Sequence, residues 1–202
     1  QDDEGVYQCI VSSSAGNVKS VFAHRFLKLA PSAVTASLAN SEDFSSVDRN
    51  ATKWGTQDFI ETAAALTQEG GYLRYSTTGT PTDDQEAMRL WHGQALPYNQ
   101  DWAVKVDVNL PNLTMPSGSM LATGLHIHNQ DDLNDTTQVS LYRDSGTRTF
   151  EAIMDVNDSE LAGVDNNTTA TRATLRLRWD AAAQKLYYEY DEDVADGTVA
   201  WK

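Results

Sequence analysis

Hydrophobic and polar residues alternate with a period of two along "WAVKVDVNL". Trp102, Val104, Val106, Val108 and Leu110 fall on one side, and Ala103, Lys105, Asp107 and Asn109 on the other. Successive side chains of a strand face opposite sides of its sheet, so the pattern predicts a strand with one buried face. "ATLRLRW" repeats it, setting Leu175, Leu177 and Trp179 against Thr174, Arg176 and Arg178. "QVSLYR" and "FEAIMD" are shorter versions, and further strands are expected at "YLRYST", "AMRLWH", "MLATGLHIH", "KLYYEY" and "TVAWK". Gly, Asn, Asp and Pro turns separate these segments, and only "DFIETAAALTQ" has any helical promise. The expectation for residues 43–202 is therefore an all-β sandwich of two antiparallel sheets, with Val104, Val106, Val108, Leu175 and Leu177 inside. No internal repeat is evident.

The first 30 residues read separately. In "DEGVYQC" the residues Asp3, Gly5, Tyr7 and Cys9 alternate, as on a strand entered through a tight acidic turn. "SSSAGN" reads as the next turn and residues 18–29 as a second strand, so a hairpin is expected over residues 4–29. Two strands alone are marginal in water, so the hairpin is expected to lean on the larger unit or on a second copy of the chain. "APSAVTASLANSED" has no sustained period and reads as a linker, placed at residues 31–42.

These phrases resemble known families. D-x-G-x-Y-x-C is similar to the strand-F segment of immunoglobulin-like domains, whose tyrosine forms a corner bond and whose cysteine crosses to strand B. The resemblance implies that residues 1–30 are the terminal F–G hairpin of such a domain, that the chain begins inside it, and that Cys9 has its partner elsewhere. "EDFSS", "KWGT", "GGYLRYS", "QDWAVKVDVNLP" and "ATLRLRWDAAAQKLYYEYDED" together resemble the concanavalin A-like jelly roll shared by legume lectins, laminin G domains and bacterial surface modules. For residues 43–202 this implies a jelly roll that normally continues one or two strands beyond a "GTVAW"-like segment.

Charge narrows the partners. Among 202 residues, 29 Asp and Glu stand against 15 Lys and Arg, a net charge of -14. The first 30 residues sum to zero, so the excess acidity lies beyond them. Such a surface repels phosphate backbones and anionic lipid, which argues against nucleic-acid or membrane-surface binding. No segment has the roughly 18 to 20 consecutive apolar residues of a membrane span, and no membrane insertion is expected. With the single cysteine Cys9, no disulfide closes within the chain.

The most chemical stretch is "GLHIHNQDDLND". His126 and His128 lie two apart on one strand face, and Asp131, Asp132 and Asp135 follow, a set of side chains suited to zinc or, through the carboxylates, calcium. The bland alternative is a polar sheet face beside a solvated turn. "DVNDSE" and "DEDVADG" are further oxygen-rich turns. "YEYDED" places Glu189, Asp191 and Asp193 on one face and resembles the E-x-D-x-E signature of jelly-roll glucanases, though the last position is aspartate. Trp91, His92, Tyr98 and Tyr142 lie in or beside turns and are candidate sugar-stacking residues, whereas Trp102 and Trp179 read as core. Sequons at Asn50, Asn112, Asn134, Asn157, Asn166 and Asn167 fit water-facing turns. No phosphate loop, cysteine-pair zinc motif or serine elbow is present.

The functional expectation is a non-catalytic binding module of a secreted or cell-surface bacterial protein, with carbohydrate or another extracellular polymer as partner. Calcium is the candidate cofactor, and the N-terminal hairpin offers an edge for a homodimer. Two alternatives stay open: a glycoside hydrolase of the glucanase type, and a structural or adhesive spacer.

Overall fold

A computed structural model describes residues 5–14, 42–44, 46, 48–77, 85–91, 96–112, 118–129, 134–144, 147–157, 159–192 and 200–202, with residues 5–14 described by their backbone. Antiparallel strands dominate. In chain order they are β1 (Gly5–Ser14), β2 (Phe59–Ile60), β3 (Ala64–Glu69), β4 (Tyr72–Thr77), β5 (Gln85–Leu90) and β6 (Trp102–Asn109). Then follow β7 (Met120–Asn129), β8 (Thr136–Asp144), β9 (Thr147–Val156), β10 (Ser159–Thr168), β11 (Arg172–Asp180) and β12 (Lys185–Asp191). The only helix among the described residues is one turn, α1 (Ala51–Trp54), where Asn50 caps the Lys53 amide through its side chain at 3.3 Å. The all-β expectation holds.

Three sheets form. The largest runs β10-β9-β8-β7-β1-β5-β2, the second β12-β11-β6, and the third is the β3-β4 hairpin. In the second sheet the alternating faces predicted from sequence meet in register, Leu175 opposite Val106 and Leu177 opposite Val104. Leu175 and Leu177 are fully buried, Val108 is buried, and Val104 and Val106 are half-buried against the same core. That core is completed from the large sheet by Leu121, Leu125, Ile127, Val139, Leu141 and Phe150. Phe150 stacks on Tyr190 of β12, with ring centroids 3.9 Å apart.

The hairpin β3-β4 covers the same face of the large sheet farther along, over β5. "DFIETAAALTQ", the one stretch with helical promise, supplies β2 and β3. Gly70 and Gly71, both at positive φ (59° and 82°), make the two-residue turn that pairs β3 with β4 and outweighs the local helix preference of the alanines. Here the covering layer is pinned by polar bonds. Arg89 of β5 forms a two-pronged ion pair with Asp58 at 3.0 Å per prong, each side chain 4% exposed, and donates also to Gln68 of β3. Arg49 closes on the same carboxylate. Burial, ahead of its neighbours, pulls the Arg49 guanidinium below its ordinary value. Tyr75 donates to the Gln85 carbonyl at 3.0 Å, and the Gln85 side chain accepts from Ala63 at 2.8 Å.

Residues 5–14 enter the large sheet between β7 and β5, pairing Gly5–Ser14 with Met120–Asn129 and Gln8–Ser13 with Gln85–Leu90. Both edges of β1 are therefore occupied, and the expected hairpin partner has no edge of β1 left to pair with. Residues 18–29 themselves lie outside the described residues, as do those of the linker up to residue 41. Of the expected "TVAWK" strand, Lys202 exchanges both backbone bonds with Tyr190, at 3.0 and 3.4 Å.

Two substitutions test this framework. Asp58→Ala leaves the Arg89 guanidinium buried without its carboxylate and is expected to cost about 3–5 kcal/mol in urea unfolding. Gly124→Ala puts a Cβ 2.0 Å from the Val139 carbonyl oxygen on the paired strand, where a shift of backbone is needed, and is expected to cost about 1–3 kcal/mol or more. A parent-like midpoint in either variant contradicts the packing described.

Candidate functional site

At one end the two facing sheets carry a cleft lined by residues of both. At the other end Arg148, buried in the large sheet, donates to the Leu110 carbonyl at 3.4 Å and to Asn112 Oδ1 at 2.5 Å and so ties the end of β6 down. The cleft at the first end has a volume of about 290 Å³. Its wall is apolar: Leu96 ahead of β6 and Trp102 at its start, Ile127 of β7, Met154 and Val156 of β9, Leu186 of β12. Its polar groups are His128, Asp135, Thr136, Thr137 and Asp155. These come from the ends of adjacent strands, since His128 pairs with Thr136 and Thr136 with Asp155.

Hydrogen bonds fix this polar rim. Asp135 accepts from the Asn157 amide at 3.1 Å, and Asp155 accepts from the Thr136 hydroxyl at 3.3 Å. The Thr137 hydroxyl donates to the Ile153 carbonyl at 3.2 Å, so the Tyr188 hydroxyl, 2.6 Å away on the facing sheet, is the donor in their mutual bond. Burial first, and Asp155 besides, push the Tyr188 phenol above its ordinary value against the opposing effect of Thr137. It stays a neutral donor that links the two sheets beside the cleft.

The residues expected from sequence to carry chemistry divide by position. His128 and Asp135 come together at the cleft. Tyr98, 54% exposed, lies in the loop between the lining residues Leu96 and Trp102 without lining the cleft itself, and its carbonyl accepts from the Trp179 indole at 2.8 Å. His126 stacks on His128, with ring centroids 4.3 Å apart, and both are buried. Trp91 packs on the core and edge-on against Trp54 at 4.9 Å. Tyr142 lies six residues along β8 from Thr136, about 20 Å away. Burial, then Asp144, Glu151 and Asp165, push its phenol up. His92, Asp131, Asp132 and Asp193 lie outside the described residues. Among the described residues, no group of three or more His, Cys, Asp or Glu is placed to hold a metal ion.

Glu189 and Asp191 share the outer face of the second sheet, away from the cleft. Glu189 is gripped by Arg176 at 2.6 Å and Arg178 at 3.2 Å, while Trp201 covers the Arg176 guanidinium at 3.7 Å and Tyr187 that of Arg178 at 4.0 Å. Burial alone would raise the Glu189 carboxyl, but the bonds from both arginines outweigh it and hold it below the ordinary value. A general acid needs the opposite shift. Asp191 is buried and accepts from the Ala200 amide at 3.3 Å.

Sequence reasoning missed the cleft's walls. Trp102 reads as core and packs half-buried against it, while Met154 and Leu186 are half-buried strand residues with no chemical signal of their own. No family model matches the chain, and neither a curated protein nor a solved structure matches it.

Two carboxyls of opposite character give a pH test. Glu189, with a depressed value, adds stability that is complete above the unfolded carboxyl value and is lost as pH falls through the folded one. Glu189→Gln is therefore expected to melt below the parent at pH 7, with the gap closing below about pH 4. Glu151 is raised, first by burial and next by Asp165, so its stabilising effect is present at low pH and lost as pH rises. Glu151→Gln is expected to melt above the parent at pH 7 and to lose that advantage below about pH 4. Thermal melts across this range check both, and parallel curves for parent and variant would refute the corresponding assignment.

Proposed function

We propose that the chain is a non-catalytic binding module of a secreted or cell-surface protein, and that its cleft holds part of a neutral, hydroxyl-rich polymer, a carbohydrate. The observation that carries this is the combination within one cleft of an apolar wall containing Trp102 and a rim of carboxylates and hydroxyls. A pyranose offers the matching pair of surfaces, an apolar C–H face for the ring of Trp102 or Tyr98 and hydroxyl donors for Asp135 and Asp155. The cleft is at the small end of ligand pockets, which run from about 300 Å³ upward, and fits a terminal or single residue of a polymer. The acidic rim disfavours anionic glycans.

The sequence resemblance to concanavalin A-like jelly rolls favours the same reading. Fold likeness alone does not assign a ligand. The glucanase alternative loses support at Glu189, whose ion pairs occupy the carboxylate that the mechanism would use. The reading does not rest on a metal.

The test is a glycan array probed with the 202-residue chain, with and without calcium. Retention on neutral glycans is expected, reduced at least tenfold, about 1.4 kcal/mol, by Asp155→Ala or Tyr98→Ala. No reducing sugar should be released from any retained glycan. Absence of retention on every glycan, or retention that both variants leave intact, would overturn the proposal.

A further inference from the structure

β10 ends the large sheet, and among the described residues no strand pairs with its outer edge. Residues 159–167 are exposed, Leu161 by 68% and Val164 by 59%. A ten-residue edge carrying apolar side chains in water is a template for one more strand.

Charge selects which strand. Glu160 and Asp165 of β10 stand in register with Asp155 and Glu151 of β9, giving four carboxyls on one side of these two strands, Asp155 at the strand end beside the cleft. β10 has no Lys or Arg, and Arg148 of β9 belongs to the other face. Two copies of β10 cannot pair comfortably with each other. An antiparallel match that sets Leu161 against Val164 also sets Glu160 against Asp165 twice, and like charges directly opposite repel. The fitting partner is a basic strand.

The chain contains one. Residues 18–29, "VKSVFAHRFLKL", carry Lys19, Arg25 and Lys28, no acid, and abundant β-prone side chains. On a strand, Lys19 and Arg25 share a face, as Glu160 and Asp165 do on β10. Both edges of β1 are occupied, so this segment cannot complete a hairpin with it. Nor does it reach β10 of its own molecule. From β1 across β7, β8, β9 and β10 to a strand beyond is five spacings, about 24 Å, in a sheet with strands about 4.8 Å apart. The chain from Ser14 to residue 18 spans at most about 14 Å.

We propose that residues 18–29 of a second copy add as a strand to the outer edge of β10, so that the chain self-associates through an acidic edge and a basic strand. Reciprocal pairing closes a dimer, and one-way pairing builds a chain of molecules.

Sedimentation velocity of the 202-residue protein over a wide concentration range tests this. Self-association is expected, weakened by salt. Glu160→Lys with Asp165→Lys should weaken it at least tenfold, as should Lys19→Glu with Arg25→Glu. The four changes together should restore it. A labelled peptide of residues 18–29 should bind the Lys19→Glu/Arg25→Glu protein and fail to bind the Glu160→Lys/Asp165→Lys protein. All four sites are polar or exposed, and circular dichroism confirms that each variant is folded. A monomer at every concentration, self-association indifferent to the β10 changes, or failure of the combined variant to recover would each overturn the proposal.

Discussion

Arg89 carries a full charge on the inward face of the largest sheet, where it is 3% exposed, and the β5 side of the fold is organised around answering it. Asp58 supplies the opposite charge, Gln68 a further acceptor, and Arg49 a second cation on the same carboxylate. A buried ion pair gains little over an apolar packing of the same volume, but it fixes geometry because neither partner tolerates being left alone. One face of one sheet is thus covered in two ways. Over β7, β8 and β9 the cover is apolar and comes from β6, β11 and β12. Over β5 it is the β3-β4 hairpin, held by directional bonds. The first cover slides easily in register and is fixed by side-chain shape. The second is fixed by its donors and acceptors.

Much of this was legible in the residues, for identifiable reasons. β6 has one wet and one dry face, and β11 sets polar against apolar side chains along its length, so their alternation is clean, and the pairing of Val104 with Leu177 and Val106 with Leu175 follows it. β10 gives no such signal. Almost every side chain on it meets water, so polarity has no contrast from which to read a period. What makes it a strand is its pairing with β9 through a turn in which Asn157 adopts φ 51°, a conformation asparagine tolerates better than most residues. β3 was hidden for a different reason: Ala64, Ala65 and Leu66 are all half-buried, and an unbroken apolar run reads equally as helix.

The site divides along the same line. His128 and Asp135 stood out because histidines two apart followed by acids are chemically distinctive. The walls did not, because a residue lining a cleft between two facing sheets has the same pattern as one deeper in the core. Glu189 shows the converse. Its spacing with Asp191 was suggestive, and it does share their face, but Arg176 and Arg178 from the neighbouring strand set its chemistry. Cross-strand neighbours are not adjacent in sequence, so their effect on a carboxyl becomes visible only with the register.

The position of β1 bears on how the protein is made. Its slot lies between β5 and β7, so residues 5–14, which precede both strands in the chain, have no complete place to go until residue 129 has been added. Pairings so distant along the chain are slow to close. Until they close, β5 and β7 each present an open edge, while residues 5–14 remain free to pair with whatever strand is near. Assembly of this sheet during synthesis is therefore the stage most exposed to wrong partners, and protection of residues 5–14 until β7 is complete would determine the yield of correctly folded chain.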